Sequence, residues 1–292
     1  MDVRHPAEQA AGSRGRRPAG RLLLVLVVFA SGCSLSAPPP PAATSRTRTP
    51  ASSLPFFSVA LNTHDPVTAD LGFTAVDVTP SQVQQLPRNR KALVWLGGYD
   101  RKSCTLLTTD DALRQQFATF RLASDPRVLG YFVADEPDTD HNCARSVGQI
   151  RARSALVHSL DPDPRRFTLL NVDDPAQFAA FKSTVDVLAT DPYPCPIGRS
   201  CNARLIPDRI ARLRRAGVTR YVAIVQAFAG APWRWPTARE LQQMLDQWRR
   251  SDWCGALVFS WTWDQGNLSD HPELLTVLKA FNAHLPTPSP TC

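Results

Sequence analysis

The chain has 292 residues, 43% of them hydrophobic, with 33 basic against 26 acidic side chains and a net charge of +7. Five arginines face only Asp2 and Glu8 in residues 1–32, and Arg46 and Arg48 follow, so residues 55–292 keep just +2. A folded part so nearly balanced carries no nucleic-acid signature, and its length is ample for one large domain.

The N-terminal stretch does not look folded. Arg14, Arg16, Arg17 and Arg21 precede the unbroken apolar run 22–30, and "ASGC" then ends at Cys33. A basic segment, a short apolar one and small residues are the pattern of an export signal, and nine apolar residues cannot span a bilayer. The stretch resembles a bacterial lipoprotein signal. That resemblance implies acylation of Cys33, which becomes the mature N-terminus, and attachment to the outer face of the membrane through lipid alone. Residues 33–54, rich in Pro, Ser, Thr and Ala, read as a disordered tether. The folded part is expected over 55–285, with 286–292 as a C-terminal tail.

Apolar runs bounded by turn residues then follow in a regular series. They are "FFSVALN" (56–62), "FTAVDV" (73–78), "ALVWLGG" (92–98), "VLGYFVADE" (128–136), "RFTLLNV" (166–172), "VDVLATD" (185–191), "YVAIVQAF" (221–228) and "GALVFSW" (255–261). Most are continuous rather than alternating, as parallel strands covered on both faces require. Between the later runs lie helical stripes. Leu113, Phe117 and Phe120 share a face, and Ile206, Ile210 and Leu213 form a stripe ended by Gly217. Leu241, Met244, Leu245 and Trp248 repeat at helical spacing behind a Thr237/Glu240 capping box. A last helix is expected over about 272–284. Eight strands alternating with helices predict a single (β/α)8 TIM barrel with short first connections. An open doubly wound sheet is the alternative, but "LNTHDPV" after the first strand holds no glycine for a phosphate loop.

Setting Cys33 aside leaves Cys104, Cys143, Cys195, Cys201, Cys254 and Cys292, an even number that favours disulfides in an exported chain. No CxxC pair occurs and the histidines are scattered singly, so neither a metal site nor a cofactor is expected. In a barrel, 104–143, 195–201 and 254–292 are easy pairings, at the rim, within one loop and at the base. Sequence alone leaves fifteen connectivities open.

In such barrels the site lies at the C-terminal ends of the strands. The residues there are Asn62, His64 and Asp65 after strand 1, Asp77 on strand 2 and Tyr99 after strand 3. Asp135 and Glu136 end strand 4, Asn171 and Asp173 strand 5, and Asp191 and Tyr193 strand 6. Gln226, Trp233 and Trp235 follow on strand 7 and its loop, then Trp261, Trp263 and Asp264 after strand 8. Carboxylates, amides and flat rings around one cavity suit carbohydrate, whose hydroxyls take polar contacts and whose C–H faces stack on indole. Trp248 and Trp253, on or near a helix, are assigned to packing.

"GYFVADEP", "VDVLATDPYP" and "FSWTWD" together resemble the glycoside-hydrolase-like TIM barrels of secreted bacterial proteins, over strands 4 to 8. The resemblance implies that Glu136 is the general acid, with Asp135 where that superfamily usually has Asn. It also places Gln226 where the strand-7 nucleophile, a Glu, would stand, and an amide cannot form a glycosyl ester. Two readings follow. One is a glycosidase with Glu136 as acid and Asp191 as base for a water, or a substrate-assisted reaction. The other is a non-catalytic glycan-binding barrel that has lost its nucleophile.

The signal pattern yields a direct test. Wild-type protein should fractionate with membranes and Cys33→Ser should be released; equal release of both would end the lipoprotein reading.

Overall fold

The computed structural model describes residues 53–138 and 142–292, so the signal segment, Cys33 and nearly all of the tether lie outside the described residues. Eight strands form a closed, all-parallel barrel: β1 (Phe57–Ala60), β2 (Ala75–Val78), β3 (Lys91–Trp95), β4 (Val128–Asp135), β5 (Phe167–Asn171), β6 (Val187–Thr190), β7 (Tyr221–Gln226) and β8 (Gly255–Phe259). β8 pairs with β1 to close it. The helices are α1 (Val67–Asp70), α2 (Asp110–Thr119), α3 (Ser146–Leu160), α4 (Phe178–Phe181), α5 (Leu205–Ala216), α6 (Ala238–Trp248) and α7 (Pro272–Ala283). A 3₁₀ turn over Pro80–Gln85 stands in for a helix between β2 and β3. The first connections are short, as expected, and so is the four-residue α4 after β5.

Two apolar layers explain why the strands read as continuous runs. Phe57, Val59, Leu93, Phe132, Leu169, Val187, Ile224 and Leu257 fill the barrel interior. Neighbours of opposite phase, among them Val76, Val94, Leu188, Val225 and Val258, pack outward against helix residues such as Leu113, Ile150, Ile210 and Leu241. The capping box of α6 forms, and Leu241, Met244, Leu245 and Trp248 are its buried face. Trp248 and Trp253 are packing residues, with ring centroids 6.0 Å apart.

The floor of the barrel is built by size alternation. The rings of Phe57 and Phe167 stack at 5.1 Å, and their strand partners are Gly255 and Gly130. A Cβ on Gly130 would stand 2.8 Å from the Phe167 carbonyl and 2.9 Å from its ring, and one on Gly255 would meet Phe57 in the same way. Below this layer the Leu54 N–H donates to the Cys292 carbonyl at 2.9 Å, and Cys292 is disulfide-bonded to Cys254. Leu54 and Cys292 are both buried, so one residue from the expected tether and the last residue of the expected tail join the floor. The disulfide is the physical reason: it pins the C-terminus under β8.

All three expected pairings form, with Cα–Cα distances of 5.3 Å (104–143), 4.1 Å (195–201) and 5.5 Å (254–292). Among the described residues no helix is long and apolar enough to cross a membrane.

Because a methyl group has no room in the floor, Gly130→Ala and Gly255→Ala should each destabilise the fold by about 1–3 kcal/mol. Denaturant unfolding measures this; wild-type stability in both variants would mean the floor is loosely packed.

Candidate active site

β4 ends in a way its neighbours do not. Its register on β5 runs from Phe132 opposite Leu169 to Ala134 opposite Leu170, leaving Val133 as an extra residue. Such a bulge re-aims the residues that follow it. Asp135 then stands opposite Asn171, whose Nδ2 donates to Asp135 Oδ1 at 2.8 Å. Glu136 follows in the left-handed region at φ 41°, its N–H donating to the Asn171 carbonyl at 3.1 Å. Such a backbone costs a non-glycine residue about 1–3 kcal/mol and persists only where surrounding contacts hold it.

β6 brings the second carboxyl. Ala189 pairs with Asn171, and Asp191, two residues on, is 6% exposed. Glu136, Asn171 and Tyr193 all lie close enough to Asp191 to act on its carboxyl. The Oδ1 atoms of Asp191 and Asn171 are buried and have no hydrogen-bond partner among the described residues. Two unsatisfied acceptors side by side are a place for the donors of a ligand.

Electrostatics follow from this geometry. Burial first, then the charges of Asp191, Asp135 and Asp173, push the Glu136 carboxyl far above the usual carboxylate range. Burial, then Asp173 and Asp135, raise Asp191. Neighbouring carboxyls cannot both ionise cheaply, so both are pushed toward their protonated forms. Arg101 lies at the solvent edge, with Nη1 3.4 Å from Glu136 Oε2. Asp173 is held by Arg209, which also donates to Thr190 Oγ1 at 2.8 Å.

An aromatic wall flanks the pair. The Tyr193 ring meets Phe228 at 5.0 Å, Trp233 at 5.8 Å and Phe259 at 6.1 Å. Phe259 in turn meets Trp263 at 4.9 Å, and Trp95 meets Phe132 at 4.8 Å across the mouth.

The structure thus brings together Glu136, Asp135, Asp191, Asn171, Tyr193 and Trp263, and it corrects three expected binding residues. Gln226 is fully buried: it accepts from the Cys195 N–H at 3.0 Å and donates to the Arg234 carbonyl at 2.9 Å, which ties the loops after β6 and β7 together. Tyr99 is a buried residue of the hairpin after β3, its hydroxyl donating to Gln149 of α3 at 2.7 Å. Trp261 is 5% exposed and packs in the outer core. Asn62 and Asp77 serve each other: Asp77 Oδ1 accepts the Asn62 N–H at 2.5 Å, while Asn62 Nδ2 donates to Ser260 at 2.9 Å. Burial raises Asp77 to about 7. Asp65 caps the turn into α1 through Val67 N–H, and His64 and Asp264 are exposed. Trp235 lies against His271, with centroids 4.0 Å apart.

Cys195, Cys201 and Glu240 lie together as potential metal donors, but the sulfurs are joined to each other and Glu240 pairs with Arg234 at 2.8 Å. Sequence reading missed Arg101, Trp95, Phe228 and Phe259. The expected 104–143 disulfide was a usable signal for Arg101, because it draws the hairpin after β3 to the loop after Glu136. Period-two counting from Leu93 and Leu257 would have put Trp95 and Phe259 on the interior face.

No family model matches the chain, and no curated protein matches its sequence. Solved structures match its fold. A GH18 chitinase from Pseudoalteromonas aurantia superposes with TM-score 0.55 at 12% identity, covering 78% of this chain and 100% of that one. A β-glucuronidase from an uncultured Clostridium sp. gives 0.56 at 8%, over 79% and 50% of the two chains. Saccharomyces cerevisiae Gas2p, solved in complex with laminaritriose and laminaritetraose, gives 0.53 at 14%, over 77% and 59%. The fold is therefore that of glycoside-hydrolase TIM barrels.

Two outcomes test the site's physics. An unfolded Glu136 loses its proton near pH 4.3, roughly, whereas the folded one keeps it, so stability is lost as pH rises above that value. Glu136→Gln should remove this penalty, and its Tm advantage over wild type should widen from pH 4 to pH 8; a pH-independent gap would contradict the buried proton. Gln226→Ala leaves the Cys195 N–H buried without its partner and should cost about 1–3 kcal/mol of stability by denaturant unfolding. An unchanged midpoint would remove the clamp.

Proposed function

We propose that the protein is a carbohydrate-active barrel that hydrolyses glycosidic bonds at the outer cell surface, with Glu136 as the general acid. The observation that carries this reading is the convergence of Glu136, Asp135, Asn171 and Asp191 at the ends of β4, β5 and β6, beside the Tyr193 wall. A general acid must keep its proton until the leaving oxygen arrives, and burial beside three acids supports that state for Glu136. When the proton leaves, negative charge grows on Glu136 just as positive charge grows on the sugar ring. The neighbouring Asp191, Asp135 and Asp173 favour that sugar cation, and Arg101 sits where it can take up the charge left on Glu136. Asn171 and Asp191 position the acid. With an amide on β7, either water attacks and Asp191 takes its proton, or the substrate's own neighbouring group attacks. The solved neighbours, all named for action on or complexes with sugars, support a carbohydrate ligand. Export and anchoring through Cys33 belong to the same proposal and rest on the N-terminal pattern alone.

Gln226 favours a second reading. Its amide is committed to the loops, so a binding-only barrel needs no further change on β7.

Turnover and binding, scored separately on a panel of polysaccharides and aryl glycosides, decide between the two. Glu136→Gln should lower turnover of poor-leaving-group substrates by about 10²–10⁴-fold while sugar binding survives. Binding without turnover in the wild type would give the case to the binding barrel. Full turnover by Glu136→Gln would overturn the acid.

A further inference from the structure

The aromatic wall does not stop at the carboxyl pair. From Tyr193, two residues after Asp191, it continues through Phe259, stacked at 6.1 Å, to Trp263 at 4.9 Å. Trp263 is 36% exposed, the one aromatic among the exposed large apolar side chains of the described residues. Its indole N–H has no protein partner among those residues. Ile197, 54% exposed, stands on the other side of the Gly230–Trp233 turn, its N–H donating to the Pro232 carbonyl at 2.9 Å. Pro196 bridges Trp233, and Gly230 bridges Trp233 in turn. Loops from β6, β7 and β8 therefore make one apolar lip.

That lip is braced from several sides. The Cys195–Cys201 disulfide closes the first loop, and Gln226 fastens it to the second. Arg234 donates to the Cys195 loop at Arg199 O and is clamped bidentately by Glu240 at 2.8 and 2.9 Å. Gly230 is what lets Trp263 lie down on the lip, since a Cβ there would stand 3.0 Å from the indole Cδ1 and Nε1. Apolar side chains exposed together beside a site offer a ligand an apolar surface.

Resting on the carbohydrate reading above, we propose that this lip is an extended subsite. Ile197, Trp233 and Trp263 receive the sugar units beyond the one at Glu136, so the ligand is a chain rather than a mono- or disaccharide. The occupant follows from continuity with the carboxyl pair. A sugar chain leaving that pair along the wall meets Trp263 next, with a C–H face for the indole ring and hydroxyls for its N–H.

Soluble chito-, cello-, xylo- and laminari-oligosaccharides of two to six units serve as probes, titrated calorimetrically into Glu136→Gln so that no turnover intervenes. Affinity in at least one series should rise with length. Adding Trp263→Ala should cut affinity for the longest probe about tenfold and for the shortest by less than twofold. Gly230→Ala, which keeps the indole but displaces it, should act in the same direction. A length series unchanged by both variants overturns the subsite while leaving the carbohydrate reading intact. Loss that is equal at every length also overturns it. No binding of any probe would remove the carbohydrate reading itself, and the subsite with it.

Discussion

Carboxyls gathered at one barrel mouth cannot all ionise cheaply, and the top of this barrel is organised around that constraint. Strands β4, β5 and β6 end at one level, so Glu136, Asn171 and Asp191 arrive in the same space. Each surrounding feature answers the charge placed there. The bulge at Val133 turns Asp135 onto Asn171, and Glu136 follows it in a left-handed turn. Asn171 reaches both Asp135 and Asp191, so one amide tempers the repulsion between them. Arg101 and Arg209 stand at the outer margin, where they limit the field of the acids without dissolving it.

Such a cluster would spread if its loops were free to move. They are not free. The Cys104–Cys143 disulfide joins the hairpin carrying Arg101 to the chain segment after Glu136, and Tyr99 and Gln149 fasten the same hairpin to α3. Across the mouth, Gln226 and Cys195–Cys201 lock the loops after β6 and β7. At the opposite end, the phenylalanine floor and Cys254–Cys292 keep the strand starts in register. A site that works within fractions of an ångström needs its support on rigid elements, and strain at Glu136 is tolerable only on those terms.

The barrel was legible because strands covered on both faces read as unbroken apolar runs, and turns between them are marked by polar residues. The carboxyl pair was legible for a related reason: charge at the end of such a run has nowhere to go but the mouth. What stayed hidden was direction. Tyr99, Trp261 and Gln226 all follow strand ends in sequence, yet each turns into a neighbouring loop or layer instead of the cavity. Loop paths decide that, and no spacing rule reports them. The Val133 bulge is equally silent in "YFVADE", where every residue suits a plain strand.

Gln226 illustrates how environment overrules position. By place on β7 it looks like a nucleophile reduced to an amide. Its surroundings say otherwise. One side of its head meets the Cys195 N–H, and the other meets the carbonyls of Cys195 and Arg234 at 3.3 and 2.9 Å. An amide, with one oxygen to accept and one nitrogen carrying two protons, matches that set. A carboxylate would turn one oxygen toward two carbonyls in a fully buried place, and would have to hold a proton or break the clamp. The amide is therefore the residue this architecture demands. With β7 committed to bracing, the mouth divides: the titratable groups come from β4 to β6, and the loops after β6 to β8 supply a stiff apolar surface. Each half can change without unmaking the other, because the interior layers that carry them both lie below.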